Sequence, residues 1–358
     1  RWYRRERTER TPFVFSVPPK DPGYAMPGCP YTYRELCEDA DKVVDGFLCS
    51  LQHQFDTYPD CDYLPCFSMH YMGEGILAAM YGAKQYVVEK TPPFTQGRVF
   101  HTIEETVRLS NDFEVEETEW GKKLKEHMLC LLDATDGEIP ISGVDYQSPY
   151  GTATKLLDNE ALMMALYDDP ALVHAFFQKV TDGICKLVDT ILGWIGPAHF
   201  ALNRNNPIAG DCGIILWDDY VSVLTPALHT EFCAPYNRQL FVRYGQGHLH
   251  TCGPYFPSYV DAVLACRPRS VDVSILRGMG KTREDLEAFV AIMEPLGLRM
   301  FGGLRMHDVS IFEGEGDNAD DALLARYVRA GLMPSGSGTQ EEGRRFAQTI
   351  ARIDAGEL

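Results

Sequence analysis

Apolar side chains recur at helical spacing along the segment that follows Asp169 and Pro170. This spacing predicts one amphipathic helix with a single buried face. Aspartate is a favoured N-cap residue and proline suits the first helical position, so we expect the helix to begin there. The apolar positions of its predicted face are Leu172, Val173, Phe176, Phe177, Val180, Ile184, Leu187, Val188 and Ile191.

Short apolar segments typical of strands alternate with further helical segments along most of the chain. Strands are predicted at 62–67, 139–144, 213–217, 247–252, 270–275 and 297–302. Helices are predicted at 33–54, from Ile76, at 118–134, 225–241, 254–265, 282–294 and 319–330, and from near Gln340. Such alternation with short loops indicates parallel pairing, and about eight units favour an α/β (β/α)8 TIM barrel over an open sheet.

The first 60 residues differ from the rest in being polar and rich in loops. We therefore predict two parts: residues 1–60 form an N-terminal helical and loop extension that packs on the barrel, and residues 61–358 form the barrel. A single large barrel is compatible with a chain of 358 residues, because such barrels often run beyond about 250 residues.

The charge and cysteine content narrow the classes of partner and compartment. The formal net charge of −18 argues against nucleic acid or an anionic membrane as the main partner. No apolar run approaches the roughly 20 residues that a membrane span needs. The 11 cysteines show no disulfide-like framework, which is typical of free thiols in a reducing cytoplasm, so we expect a cytoplasmic protein. No GxGxxG turn follows a strand, so a dinucleotide-binding fold has no support.

In a (β/α)8 barrel, chemistry gathers at the carboxyl ends of the strands. That rule selects Asp145, Asp218, Asp219, His250, Cys252, Ser274, Gly302, Ser335 and Ser337. Two further candidates are Tyr146, as part of an aromatic wall around a substrate, and His307, in the loop after the seventh strand. Of these, we expect Asp145, Tyr146, Asp219, His307 and Ser337 to contact substrate.

The segment 247–253 reads Gly-His-Leu-His-Thr-Cys-Gly and carries the clearest candidate chemistry. Residues two apart on a strand point to the same face, so His250 and Cys252 can converge on one point. A neutral imidazole and a thiolate are ligands that zinc prefers. The alternative is a buried histidine beside a free cysteine.

Three stretches in a fixed order resemble the uroporphyrinogen decarboxylase superfamily. Residues 169–174 read Asp-Pro-Ala-Leu-Val-His, similar to the family's helix start. Residues 217–236 contain Trp-Asp-Asp, Thr-Pro and Phe-Cys-Ala-Pro-Tyr, and residues 247–253 contain the His-x-Cys-Gly strand. The resemblance covers roughly residues 135–340 and implies a (β/α)8 barrel. That superfamily includes porphyrinogen decarboxylases and zinc-dependent, corrinoid-linked methyltransferases.

The methyltransferase branch resembles this chain more closely than the decarboxylases do. The Arg-Gln-Ala-Gly-Arg segment by which porphyrinogen decarboxylases grip substrate carboxylates is missing, and the chain is strongly acidic. The resemblance therefore implies transfer of a methyl group between a small substrate or thiol and a corrinoid (cobalamin) carried by a partner protein. It also implies zinc held by His250, Cys252 and a third ligand. The protein is expected to be a monomer or a homodimer.

One departure from the family concerns the third zinc ligand. Where zinc methyltransferases carry Gly-Cys-Gly near the last strand, residues 336–338 read Gly-Ser-Gly, and serine is a poor zinc ligand. Asp218, Asp219 and His307 are the possible substitutes. Only one of the two adjacent aspartates should face inward. We favour Asp218, which aligns with the family's aspartate, as metal ligand and, with His250, as catalytic residue.

Two alternatives stay open on the sequence. One is a metal-free decarboxylase that acts on a small cyclic or acidic substrate. The other is a non-catalytic barrel that binds a corrinoid or tetrapyrrole, which the serine at position 337 keeps open.

Overall fold

The computed structural model describes residues 10–11, 13–16, 25–57, 62, 65–201, 213–219, 223–245, 247–251, 259–272, 299–303, 325, 328–329, 332–337 and 339–358. Its strands are β1 (Val14–Ser16), β2 (Phe67–Ser68), β3 (Gln85–Tyr86), β4 (Phe94–Thr95), β5 (Ile141–Ser142), β6 (Phe200–Ala201), β7 (Ile214–Trp217), β8 (Gly247–His250), β9 (Ser270–Asp272), β10 (Arg299–Gly303) and β11 (Leu332–Ser337).

The helices lie between and after these strands. They are α1 (Tyr33–Glu38), α2 (Ala40–Thr57), α3 (Ile76–Met80), α4 (Glu119–Ala134), α5 (Pro149–Leu156), α6 (Asn159–Asp168), α7 (Pro170–Ile195), α8 (Pro226–Leu228), α9 (Ala234–Arg243), α10 (Val260–Ala265) and α11 (Gln340–Asp354). Within the described residues, no helix is both long enough and apolar enough to cross a bilayer.

Two parallel sheets carry the fold. The larger has the strand order β1-β11-β10-β9-β8-β7, and every pair in it is parallel. The smaller has the order β2-β5-β6 and is also parallel. From β7 to β11 the neighbouring strands follow chain order, and described helices lie between β7 and β8 and between β8 and β9, as the strand–helix alternation predicts. β3 and β4 form a separate antiparallel pair.

The two parallel sheets meet where the chain leaves β5. Gln147 forms a parallel bridge with Trp217, the last residue of β7. The Ser148 amide donates to the Trp217 carbonyl over 2.9 Å, and the Trp217 amide donates to the Tyr146 carbonyl over 3.0 Å. The α/β class with parallel strands is therefore confirmed. Closure of both sheets into one complete (β/α)8 barrel stays a prediction.

The long helix α7 has the predicted start and the predicted buried face. Proline occupies its first turn, and its apolar stripe is buried from Val173 to Ile195. Asp169 holds the N-cap position, but its side chain makes no capping hydrogen bond, which differs from the prediction. Proline at the first position supplies the helical φ without the cap, because its ring already sets that angle.

Other predicted elements differ in their bounds. The single helix predicted at 33–54 is two helices, because Asp39 between them has an extended backbone with φ −145°. Of the strand predicted at 62–67, the described residues show its last position, Phe67, as the start of β2. Ser335 and Ser337, predicted to lie at the carboxyl end of a strand, belong to the last half of β11, and Ser337 ends it. The helix predicted at 282–294 lies outside the described residues.

The N-terminal segment adds a strand to the larger sheet. β1 pairs in parallel with β11, with Ser16 opposite Ser337. Before β1, the Phe13 ring packs edge-on against Phe346 of α11, with ring centroids 5.8 Å apart. The Thr11 hydroxyl donates to the Asp354 carboxylate over 2.6 Å. The extension is thus tied to the last helix. A boundary between parts at residue 60 stays a prediction.

Helix α11 is well specified by its own sequence. Thr339 and Glu342 form a capping box, in which each side chain accepts from the other's backbone amide. Its inner face buries Phe346, Ile350 and Ile353.

The described cysteines are all free thiols, as predicted.

We expect Phe346→Ala to lower the free energy of unfolding by about 3–5 kcal/mol, because it leaves a cavity against Phe13. Urea unfolding followed by circular dichroism measures this. Gln348→Ala, on the exposed face of the same helix, serves as the control and should change stability by less than about 0.5 kcal/mol. Equal losses in the two variants would show that the Phe13–Phe346 contact does not hold the helix.

Candidate active site at the ends of β7 and β8

The carboxyl ends of β7 and β8 bring together three of the predicted site residues. Trp217 and His250 are paired in register, and their rings lie 3.9 Å apart between centroids. The Asp218 amide donates to the His250 carbonyl over 2.8 Å. His250 is only 7% exposed. The parallel pairing therefore places Asp218, Asp219 and His250 at one edge of the sheet, as the barrel rule predicts.

The carboxylate of Asp218 is fully buried and faces the helices that follow β7. Its Oδ1 accepts from the Ser148 hydroxyl over 3.1 Å. Its Oδ2 lies 2.9 Å from His229 Nε2 and accepts from the Asn237 amide over 2.8 Å. A buried carboxylate requires such donors, because an uncompensated charge in the interior is costly. Asp218 thus joins the end of β7 to α5 and to the region of α8 and α9.

His229 lies in a π-helical turn, His229–Cys233, between α8 and α9. Such turns occur as single-turn insertions in helices, frequently at functional sites. The extra residue per turn lets the buried His229 ring reach Asp218 while α9 continues to present Asn237 to the same carboxylate. His229 is not among the residues that the sequence analysis selects. It is a buried partner of a predicted catalytic aspartate.

Asp219, the next residue, has the opposite orientation. Its carboxylate Oδ1 lies 3.8 Å from His250 Nε2, and its side chain is 30% exposed. The two aspartates therefore point to different sides, as strand alternation requires. The sequence preference was for Asp218 as the inward residue, whereas the carboxylate beside His250 is that of Asp219. The roles of Asp218 as catalyst and metal ligand stay predictions.

A second group of polar side chains, around His70 and Asp145, also contacts Trp217. The His70 ring packs against Trp217 with centroids 4.7 Å apart, and His70 Nδ1 lies 3.5 Å from the Asp145 carboxylate. The Gln147 amide donates to Asp145 over 2.8 Å. Trp217 is thus flanked by two histidines, each of which has a carboxylate beside it.

The Asp145 carboxyl group has a strongly raised pKa of about 7. Burial is the main cause, because it disfavours the charged form. The hydrogen bond from Gln147 lowers the pKa, while the negative charges of Glu74 and Asp219 raise it further. A carboxyl group that titrates near neutral pH can both donate and accept a proton, which suits general acid–base catalysis.

Tyr146 is buried in the hydrophobic core rather than on a substrate wall. The space beside it, bounded by Leu77 and Ile184 among others, has a volume of only about 10 Å³. That is near the lower limit for one water molecule. The contact of Tyr146 with substrate stays a prediction, while the Trp217 ring contacts His250.

Of the remaining predicted site residues, the structure describes Ser337 but not Cys252 or His307. Cys252 and His307 lie outside the described residues. Ser337 ends β11, where its backbone pairs beside β1. Among the described residues, no group of three or more His, Cys, Asp or Glu side chains could hold a metal ion. His250 and Asp219 supply an imidazole and a carboxylate, two donors of types that zinc accepts.

His70, Gln147 and Glu74 are not among the residues that the sequence analysis selects. His70 comes two residues after β2, so the rule of carboxyl strand ends would have selected it beside the aspartates. Glu74 and Gln147 have no comparable sequence signal. Only the tertiary structure shows the hydrogen bond from Gln147 and the effect of the Glu74 charge on Asp145.

We expect the free energy of unfolding to fall as pH rises from about 4 to about 7, because of Asp145. Between these pH values the Asp145 carboxyl group keeps its proton in the folded chain but has lost it in the unfolded chain. The stabilisation that Asp145 contributes is therefore complete below about pH 4 and lost above about pH 7. Asp145→Asn removes this dependence, which amounts to up to about 1.4 kcal/mol per pH unit. Urea unfolding at several pH values measures the slope. Asp112→Asn, at an exposed position, is the control, and an unchanged slope in Asp145→Asn would contradict the expectation.

We expect His229→Ala to destabilise the protein by about 3 kcal/mol, because it deprives the buried Asp218 carboxylate of a donor. Thermal and urea unfolding measure the loss. Glu231→Ala changes an exposed residue of the same turn and should leave stability nearly unchanged. A loss in His229→Ala no larger than in Glu231→Ala would show that Asp218 does not depend on this histidine.

Comparisons with known proteins agree on the family and the fold. The sequence profile described as uroporphyrinogen decarboxylase (URO-D) matches residues 1–193, more than half of the 358 residues. No curated protein matches the sequence significantly. A methyltransferase from Methanosarcina mazei matches with a TM-score of 0.66 and 13% identity, over 98% of this chain and 96% of that one.

Two other solved structures match at TM-scores too low to indicate a shared fold. One is the GH99 endo-alpha-mannosidase of Bacteroides thetaiotaomicron, with a TM-score of 0.35 and 12% identity, over 93% of this chain and 84% of that one. The other is the dihydropteroate synthase of Stenotrophomonas maltophilia, with a TM-score of 0.28 and 12% identity, over 74% and 94%. The profile match over more than half of the chain shows that it belongs to the uroporphyrinogen decarboxylase family.

Proposed function

We propose that this protein is a methyltransferase that moves a methyl group between a small substrate or thiol and a corrinoid carried by a partner protein. The observation that carries the proposal is the proximity of His250 to Asp219 at the ends of β8 and β7. His250 is the first residue of the segment that reads His-x-Cys-Gly. The shared fold with a solved methyltransferase over nearly the whole chain supports it.

Zinc is part of this proposal. His250 would hold it with Cys252 and with a carboxylate, for which Asp219 is better positioned than Asp218 because it lies beside the imidazole. Asp218 already accepts hydrogen bonds on both oxygens. When bound, zinc would supply a Lewis acid that activates a thiol or polarises a methyl donor.

The chain's own residues would supply positioning and proton transfer. Asp145, with its pKa near 7, can give a proton to a leaving oxygen or nitrogen, or take one from an incoming thiol. His70 and Gln147 hold this carboxyl group in place. The Trp217 ring contacts the rings of both His70 and His250 and would help to hold them in place.

A metal-free decarboxylase is the second candidate, and the Asp145 carboxyl group favours it. Loss of carbon dioxide leaves a carbanion that must be protonated, and a buried acid that keeps its proton near neutral pH can do this. The substrate would be small and cyclic or acidic.

We expect the zinc-loaded protein to consume methylcobalamin when 2-mercaptoethanol is the methyl acceptor, measured by the loss of methylcobalamin absorbance. His250→Ala should lower the rate by about 100-fold or more. Plasma mass spectrometry should find about one zinc per chain, lost in His250→Ala/Cys252→Ala. His101→Ala, at an exposed site, is the control and should change neither measurement. No methyl transfer by the zinc-loaded protein, with release of labelled carbon dioxide from a carboxylated substrate, would favour the decarboxylase.

A further inference from the structure

A cavity of about 280 Å³ lies beside the candidate active site, between α2 and the 3-10 turn Met69–Met72 that follows β2. Met26, Phe47, Leu51 and Tyr71 give it a largely apolar and aromatic wall. Pockets of this composition, with a few placed polar groups, are typical of small-molecule sites. None of the chemistry discussed above uses this cavity.

The described residues around the cavity include no lysine, arginine, aspartate or glutamate. Its polar groups are neutral hydroxyls and an amide, such as those of Ser68 and Gln54, together with the His70 imidazole. Because an ion moved from water into such surroundings loses hydration without gaining an opposite charge, the cavity favours an uncharged ligand.

The volume sets the size of that ligand. A closed apolar cavity of about 150 Å³ holds one benzene molecule. The present cavity has roughly twice that volume, which suits a single aromatic ring with one or two small substituents. The rings of Phe47 and Tyr71, 5.8 Å apart and edge to face, form an aromatic part of the wall.

His70 connects the cavity to the active-site residues. Its side chain lines the cavity, its Nδ1 lies 3.5 Å from Asp145, and its ring contacts Trp217. A ligand in the cavity therefore lies against the same imidazole that contacts the Asp145 carboxyl group. A polar substituent of that ligand is then within reach of the proton-transferring side of the site.

We propose that this cavity binds a neutral, substituted aromatic molecule with one hydrogen-bonding group, and that His70 holds this group next to Asp145. The inference rests on the proposed function only for the ligand's role as methyl donor or acceptor. The binding itself is independent of that role.

Isothermal titration calorimetry of the full chain with 2-methoxyphenol tests the cavity. Leu51→Trp fills the cavity with a larger side chain and should weaken binding by about tenfold or more. Leu48→Trp makes the same change at an exposed position of the same helix and should keep the affinity within about twofold. Ser50→Tyr, also into the cavity, replaces Leu51→Trp if that variant does not fold, as judged by thermal unfolding.

The charge of the ligand gives a second comparison. The carboxylate analogue 2-methoxybenzoate should bind at least about tenfold more weakly than 2-methoxyphenol, because the described lining offers its charge no lysine or arginine and the negative Asp145 side lies nearby. No binding of 2-methoxyphenol by the wild-type protein, equal weakening by Leu48→Trp, or equal affinity for the two ligands would overturn the inference.

The outcome separates this inference from the proposed function. Binding that Leu51→Trp abolishes, in a zinc-loaded protein that does not consume methylcobalamin, would support the cavity and reject the methyltransferase. Methylcobalamin consumption without any binding of 2-methoxyphenol would do the reverse.

Discussion

A carboxylate without exposure to solvent must be surrounded by hydrogen-bond donors, and Asp218 has this requirement at the end of β7. Ser148 and the pair His229 and Asn237 meet it from two separate segments of the chain. Because strand side chains alternate, fixing Asp218 toward the helices turns Asp219 the other way. The position of the candidate catalytic pair, Asp219 and His250, therefore depends on a buried charge that does not itself face the pair.

Protonation neutralises part of the negative charge at the candidate active site. Burial and two neighbouring carboxylates keep Asp145 partly protonated at neutral pH, so part of the negative charge is removed by protonation instead of by arginine or lysine. The neutral cavity beside His70 continues this character. A polyanionic porphyrinogen would fit such surroundings poorly. The uncharged ligand proposed for the cavity fits them better.

Local patterns predicted the elements of the fold with considerable success, because those patterns have local causes. The apolar stripe of α7, the proline at its start and the capping box of α11 act within a few residues. Strand β11 was not among the predicted strands, and its cause is non-local. β11 extends through Ser335 and Ser337 because it pairs with β10 on one side and β1 on the other, and propensity at a Gly-Ser stretch contains no information on partners.

By itself, the sequence determined the parallel α/β class, the family, and the selection of Asp145, Asp218, Asp219 and His250, because strand ends and motifs are local in the chain. Only the tertiary structure decided which aspartate lies beside His250 and which is buried. It also brought His70 to Asp145 across 75 residues of sequence and His229 to Asp218 from a π-helical turn. Burial and charge at a point depend on what packs there, and residues distant in the chain supply that packing.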